Sequence, residues 1–400
     1  MTHTKPPSET PLPLAFDFQS RTRLIYGPGT IDRVGELALG LVSKKILLVT
    51  DKGIVAAGHA GQVRKNLEAS GLQVVMFADA RENPTTSSVE TCVAVARAAG
   101  IDAIIGLGGG SAMDTAKGCN FLLTNGGRMQ DYWGVGKARC PMLPFIAIPT
   151  TAGTGSECQS AALIIDERNH QKMACLDSKA AARIAILDPV LTLSQPPQIA
   201  AFTGMDAIAH AVETAVTTKR NELSVMFSRE AFRLCATAFP QVMTEPTNLE
   251  ARGNMLLGAA LAGMAIENSM LGAAHAAANP LTAHYGVVHG KAVGLMLPAV
   301  VRFNARDAET RRSYSALGSV IQNGEVLQDN EDNFDFFFSR LKALTSISGV
   351  SGAKENCGIK AGDIPMMAEE AARQWTTGFN PRPVSKSDFI GLYEEAFAPG

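Results

Sequence analysis

Between residues 44 and 151 short apolar runs alternate with stretches of helical period, and this alternation limits the possible folds more than any other feature of the chain. The runs are KKILLVTD (44–51), LQVVMFAD (72–79), DAIIGLGGG (102–110) and PFIAIPTT (144–151). They lack the strict apolar–polar alternation of a strand with one wet face. Continuous runs of this kind belong to strands buried on both sides, which requires helices on both faces of the sheet. The intervening segments supply those helices: SSVETCVAVARAAG (87–100) reads as a helix closed by Gly100, and SAMDTAKGCNFLLTN as another. The expected architecture is therefore α/β with a parallel sheet. LIIDERNHQKMACLD and ARIAILDP are read as two further strands.

Past Asp188 the texture changes. SQPPQ (194–198) is a proline-marked joint, and beyond it lie Ala-, Leu- and Met-rich stretches with helical spacing at 199–217, 222–239, 248–267, 271–284 and 291–304. The expected organisation is a floppy extension over 1–15, an α/β nucleotide-binding domain over 16–195, and an all-helical domain over 196–400. A ligand cleft is expected between the two domains. The amino-terminal MTHTKPPSETPLPLAFDF is polar and proline-rich and has no signal-peptide core, and no apolar run is long enough to cross a bilayer. With 36 basic and 38 acidic residues the net charge is −2, so neither nucleic acid nor an anionic membrane is an expected partner. The seven cysteines are scattered without a C-x-x-C pair, which fits a reducing, cytoplasmic setting.

Two loops follow apolar runs and are rich in small residues. GLGGGSAMDTAKG (106–118) passes from strand to helix, where three glycines let peptide N–H groups approach an anion and Ser111 can cap the helix. A tight turn with a serine cap is the plainer reading, and the spacing is not G-x-G-x-x-G. PTTAGTGSE (149–157) adds four hydroxyls and two glycines after the next strand. Two such loops at the carboxyl ends of neighbouring parallel strands describe a dinucleotide crevice. Asp51, at the end of KILLVTD, can accept from a ribose 2′-hydroxyl and repel a 2′-phosphate, favouring NAD over NADP, or it can simply cap the next helix.

The helical half holds four of the seven histidines, at 210, 275, 284 and 289. GMDAIAHAVE (204–213) sets Asp206 and His210 one turn apart, on one helix face. A carboxylate and several imidazoles among alanines are costly to bury unless satisfied, and one divalent cation satisfies them together. One oxygen and three nitrogens suit Fe(II) or Zn(II) and can leave a position open for substrate. From His275 to His284 a continuous helix turns by about 900°, so His284 points away from His275. His289 follows Gly286, where the chain can turn back. Asp206, His210, His275 and His289 are thus the expected ligands, and His284 is expected to be structural.

With these motifs in order, the chain resembles the iron-containing (group III) alcohol dehydrogenases. The likeness covers nearly everything after residue 20 and includes VTDKGI, ENPTT, GLGGGSAMDTAKG, IPTTAGTGSE, TGMDAIAHAVE, HAAANPLTAHYGVVHG (275–290) and NPRPVSKSDFIGLYEEAF. It implies an α/β dinucleotide-binding domain followed by a helical domain, the same four metal ligands, and cofactor positions at Asp51, Asn83, Gly109, Gly110, Ser111, Thr150, Thr151 and Lys172. Asp114 and Thr154, within the same two loops, complete the cofactor set. At Asn279 many members carry a second histidine near the nicotinamide. An amide cannot titrate there, but it can orient substrate or cofactor by hydrogen bonds.

The implied function is a metal-dependent, NAD(P)-linked alcohol dehydrogenase or aldehyde/ketone reductase. Hydride would pass between an alcohol polarised by Fe(II) or Zn(II) and the nicotinamide. Small alcohols and aldehydes are the expected substrates, and a homo-oligomer, dimer or larger, is the expected assembly. The alternatives are a dehydroquinate-synthase-like lyase, a metal-free reductase, or a non-catalytic nucleotide- or metal-sensing module. Against the lyase, Lys291 and Arg302 are the only basic residues close to the histidines along the helical half.

Overall fold

A computed structural model describes residues 15–41, 44–169, 171–322, 332–350 and 358–398. The extension expected over 1–15 falls, apart from residue 15, outside the described residues.

Six parallel strands form the main sheet. In chain order they are β1 (Arg23–Tyr26), β2 (Lys45–Val49), β3 (Gln73–Phe77), β4 (Ala103–Gly108), β6 (Phe145–Pro149) and β9 (Ile184–Leu187), arranged β1-β9-β6-β4-β2-β3. The helices between them are α1 (Val34–Leu39), α2 (Lys52–Ala56), α3 (His59–Ala69), α4 (Thr86–Ala99) and α5 (Gly110–Asn125). The continuous apolar runs have the expected cause. Along β2, Leu47 and Val49 pack into the core on one side of the sheet, Ile46 and Leu48 into the core on the other. Strand order reverses at β2, whose neighbours are β3 and β4, and such a switch point opens a crevice at the carboxyl ends.

LIIDERNHQKMACLD differs from the expectation of a single strand. It forms an antiparallel pair, β7 (Ala161–Asp166) and β8 (Gln171–Leu176), in a separate three-stranded sheet with β5 (Gly134–Val135). The turn residues 167–169 follow the first of two apolar segments, which pair with each other and do not continue as one extended run.

The second half is helical: α6 (Pro197–Thr214), α7 (Glu222–Thr244), α8 (Leu249–Asn268), α9 (Ala273–Tyr285), α10 (His289–Asn304), α11 (Ala308–Ser319), α12 (Asp332–Ile347), α13 (Ile364–Arg373) and α14 (Lys386–Phe397). α7 runs past the expected end at 239, through Pro240. A proline there cannot donate to the Ala236 carbonyl, and the Arg340 guanidinium does so instead at 2.9 Å. Among the described residues no single helix is long and apolar enough to cross a membrane.

Candidate active site

α6 carries Asp206 and His210, α9 brings in His275, and α10 opens with His289. The three imidazoles surround one oxygen. Oδ1 of Asp206 lies 3.5 Å from His210 Nε2, 3.4 Å from His275 Nε2 and 3.9 Å from His289 Nε2. Both Asp206 Oδ1 and His275 Nε2 are buried without a hydrogen-bond partner. Native interiors rarely leave such groups unsatisfied. Tetrahedral ligands held ~2.0–2.2 Å from a cation stand about 3.4 Å from one another, close to the spacing seen here. Ligand atoms of Asp206, His210 and His275 all lie within 4.8 Å of one another. His289 stands at the rim, its side chain 27% exposed. One carboxylate oxygen and three imidazole nitrogens are the donor set of a borderline divalent ion, so the residues present fit one.

The far side of each ring is also arranged. His275 Nδ1 donates to Glu213 Oε2 at 2.5 Å, and Glu213 Oε1 accepts from the Ala274 peptide N–H at 2.7 Å. His210 Nδ1 faces the Gly153 carbonyl at 3.3 Å. A carbonyl can only accept, so the proton sits on Nδ1 and the Nε2 lone pair points to the shared centre. Burial disfavours a charge on His275, but Glu213 and Asp206 outweigh it and raise the imidazole to about 9. Burial also opposes ionisation of Asp206, yet the neighbouring imidazoles, His210 foremost, hold its carboxyl below the usual range. His210 and His289 are pulled below the usual imidazole value by burial.

The two small-residue loops stand side by side, because β4 and β6 are parallel neighbours with Gly108 opposite Pro149. Gly108 has φ +146°, a conformation side-chain-bearing residues rarely adopt, and Gly109 is the N-cap of α5. The expected serine cap is not formed. Ser111 already lies inside the first turn, and no side chain caps the helix, leaving its first peptide N–H groups toward the cleft. A Cβ on Gly110 would meet Thr154 at 2.8 Å, so the loops touch.

Asp51 accepts from the Ile54 N–H at 3.0 Å, the plainer capping role, and also lines the cleft. Its Oδ2 lies 3.3 Å from where a Cβ on Gly108 would stand. Lys172 Nζ donates to Asn83 Oδ1 at 3.3 Å, and Asn83 sits at φ 52°, a left-handed conformation that asparagine tolerates. Asp114 Oδ1 accepts from Ser156 Oγ at 3.0 Å, and burial raises its carboxyl above the usual value. Thr150, Thr151 and Thr154 line the same cleft, which holds about 890 Å³ and runs from Asp51 to His289.

Asn279 also lines the cleft, one turn past His275, and donates Nδ2–H to Gln374 Oε1 at 3.1 Å. His284 is exposed and bonds Glu370 at 2.8 Å, away from the other three imidazoles, as the helical turn requires. Glu213 and Gln374 are absent from the sequence-based expectations. Glu213 carried a signal, since it stands three residues beyond His210 and seven beyond Asp206, on the same helix face. Gln374 carried none.

A doubly wound α/β half joined to a helical half with a carboxylate–imidazole centre defines a class of metal-dependent dehydrogenases. Residues 21–189 match the family model described as iron-containing alcohol dehydrogenase, and residues 200–397 match the C-terminal model of the Fe-containing alcohol dehydrogenase family. The NAD-dependent methanol dehydrogenase of Bacillus methanolicus is 31% identical over 378 residues, covering 93% of this chain and 97% of its own. The 1,3-propanediol dehydrogenase of Klebsiella pneumoniae is 32% identical over 389 residues, covering 96% and 99%. A crystal structure of a 1,3-propanediol oxidoreductase superposes with a TM-score of 0.92 at 31% identity, over 96% of this chain and 100% of that one. The chain belongs to the iron-containing alcohol dehydrogenase family. It is accordingly an oxidoreductase acting on CH–OH groups, a metal-dependent alcohol dehydrogenase or reductase.

Proposed function

We propose that this chain interconverts a small alcohol and its aldehyde or ketone with NAD as the hydride partner, and that Asp206, His210, His275 and His289 hold one divalent cation. The observation that carries this reading is the buried, unpartnered Asp206 Oδ1 with three imidazole Nε2 atoms 3.4–3.9 Å away. A cation bound there supplies Lewis acidity toward an alcohol or carbonyl oxygen, and the nicotinamide supplies the hydride acceptor. Iron is favoured by the family, with zinc suited to the same donors.

The chain's own residues divide the remaining work. Glu213 and the Gly153 carbonyl fix the proton on Nδ1 of His275 and His210, so that Nε2 is the atom each ring turns toward a cation. The peptide N–H groups of Gly109, Gly110 and Ser111 offer donors to a pyrophosphate at the start of α5. Thr150, Thr151 and Thr154 are assigned to the same cofactor, together with Asn83, Lys172 and Asp114, which line the same cleft. Asp51 addresses the ribose and favours NAD over NADP. Asn279 holds no transferable proton, and it orients substrate or cofactor through the oxygen its bond to Gln374 leaves open.

On this reading residues 16–195 form the NAD-binding domain and 196–400 the metal-binding domain, in a cytoplasmic homo-oligomer, dimer or larger. All six cysteines among the described residues are free thiols, which suits a reducing compartment. The test is absorbance at the NADH band with primary alcohols and aldehydes, using protein purified without chelator and loaded anaerobically with Fe(II). Turnover abolished by chelation and restored by metal is expected. Tight NAD binding with no turnover across the panel would favour a nucleotide sensor instead.

A further inference from the structure

Resting on that reading, we propose that the cleft selects uncharged alcohols and aldehydes with an apolar chain, and rejects those carrying a carboxylate or sulfonate. The charges along the cleft are unevenly placed. Its cations other than histidine, among the described residues, are Lys52, Arg81 and Lys172, all from the α/β half. Lys52 pairs with Asp79 at 3.3 Å, and Lys172 bonds Asn83 and stands near enough to Asp206 and His289 to act on both, on the ligand-cluster side of the apolar wall.

The wall from the helical half is apolar, through Phe202, Ile266, Met270, Leu271, Val288 and Trp375. Its polar members away from the ligand cluster are neutral, apart from Glu267. Asn279 and Gln374 are amides bonded to each other, and the Thr376 hydroxyl is buried without a hydrogen-bond partner. Such groups can meet a hydroxyl but cannot neutralise an anion. Glu267, at the end of α8, is negative and already engaged. It accepts from the Ser160 N–H at 2.9 Å and the Ser160 hydroxyl at 2.7 Å, and Arg21 stands 3.5 Å away. That guanidinium is held by the carboxylate and does not line the cleft.

An anionic tail reaching along this wall, beyond the ligand cluster, would leave water, meet no Lys or Arg side chain among the described residues from the helical half, and face the Glu267 carboxylate. An apolar tail would bury carbon against carbon with no polar group stranded. Discrimination built from an uncompensated charge is the stronger kind, because a misplaced methylene costs far less.

The test compares kcat/KM for NADH-dependent reduction of butanal, 4-oxobutanoate and sulfoacetaldehyde by the metal-loaded protein. Butanal is expected to lead both anionic aldehydes by ~100-fold or more. In Met270→Arg, with a cation on the wall, the gap should narrow by ~10-fold or more. Equal or better use of either anion by the unsubstituted protein would overturn the proposal while leaving the dehydrogenase reading intact, and so would a gap that the arginine leaves unchanged. Absence of turnover with every aldehyde and alcohol would overturn both.

Discussion

Oε2 of Glu213 receives the Nδ1 proton of His275 across 2.5 Å, in a buried contact between α6 and α9. The carboxylate lies behind the ring, and it fixes which nitrogen faces the shared centre. Glu213→Gln keeps an acceptor oxygen but removes the charge. Metal affinity should fall about 10- to 100-fold while the fold persists. Competition with a chelator, read alongside circular dichroism, measures this. Unchanged affinity would mean that Glu213 acts only in packing α9 against α6.

The hydroxyl-rich loop is locked by contact with α8. A Cβ on Gly263 would collide with the Gly155 carbonyl oxygen, and one on Gly155, at φ +62°, would stand 2.7 Å from the Ala259 carbonyl oxygen. Backbone meets backbone, so neither side can yield by rotating a side chain. Gly263→Ala should therefore cost about 1–3 kcal/mol of stability and weaken NAD binding, since the loop that carries Thr154 must move. Denaturant melts with and without NAD check both effects, and an alanine variant as stable as the parent contradicts the packing argument.

Glu157, in the same loop, is buried with Oε1 unpartnered, and burial pushes its carboxyl up to about 7. An unfolded glutamate titrates near ~4.3. The folded protein thus keeps a proton that the unfolded chain releases. The stabilisation is complete below about pH 4.3, is lost progressively as pH rises to about 7, and changes little above that. Glu157→Gln is neutral throughout. Its stability relative to the parent should rise by about 1–3 kcal/mol between pH 5 and pH 8. Urea melts at the two values measure the difference, and parallel behaviour would show that the carboxylate is ionised in the folded state.

Asp51 has one oxygen committed to the Ile54 N–H and the other beside Gly108, at the point where strand order reverses. Asp51→Ser retains a capping side chain and removes the charge. The ratio of kcat/KM for NADP to that for NAD should increase ~10-fold or more. A ratio that does not move would leave Asp51 as a helix cap only.

Much of the α/β half was legible in the sequence because burial on both faces writes itself as unbroken apolar runs. The strands at β2, β3, β4 and β6 fall where those runs stand, and both loops lie at adjacent carboxyl ends. β1 was not legible, since RLIY is a four-residue edge strand with no run to mark it. The one-turn spacing of Asp206 and His210 was enough to put both on one face. The angle between α9 and α10 that returns His289 to the cluster could be inferred only from Gly286, now seen as the left-handed cap of α9 at φ 62°. Gln374 stands 95 residues beyond Asn279, and nothing local announces a contact made by tertiary packing alone. The continuation of α7 through Pro240 depends likewise on Arg340, 104 residues from the carbonyl it satisfies.

The most direct test of the central claim is the metal stoichiometry of protein purified without chelator, measured by elemental analysis for the parent and for Asp206→Ala and His275→Ala. One equivalent of iron or zinc in the parent is expected, with near-complete loss of metal and activity in both variants while circular dichroism remains folded. A variant that keeps normal turnover with no bound metal, or a parent that turns over alcohol without any metal, would contradict the assignment of this centre.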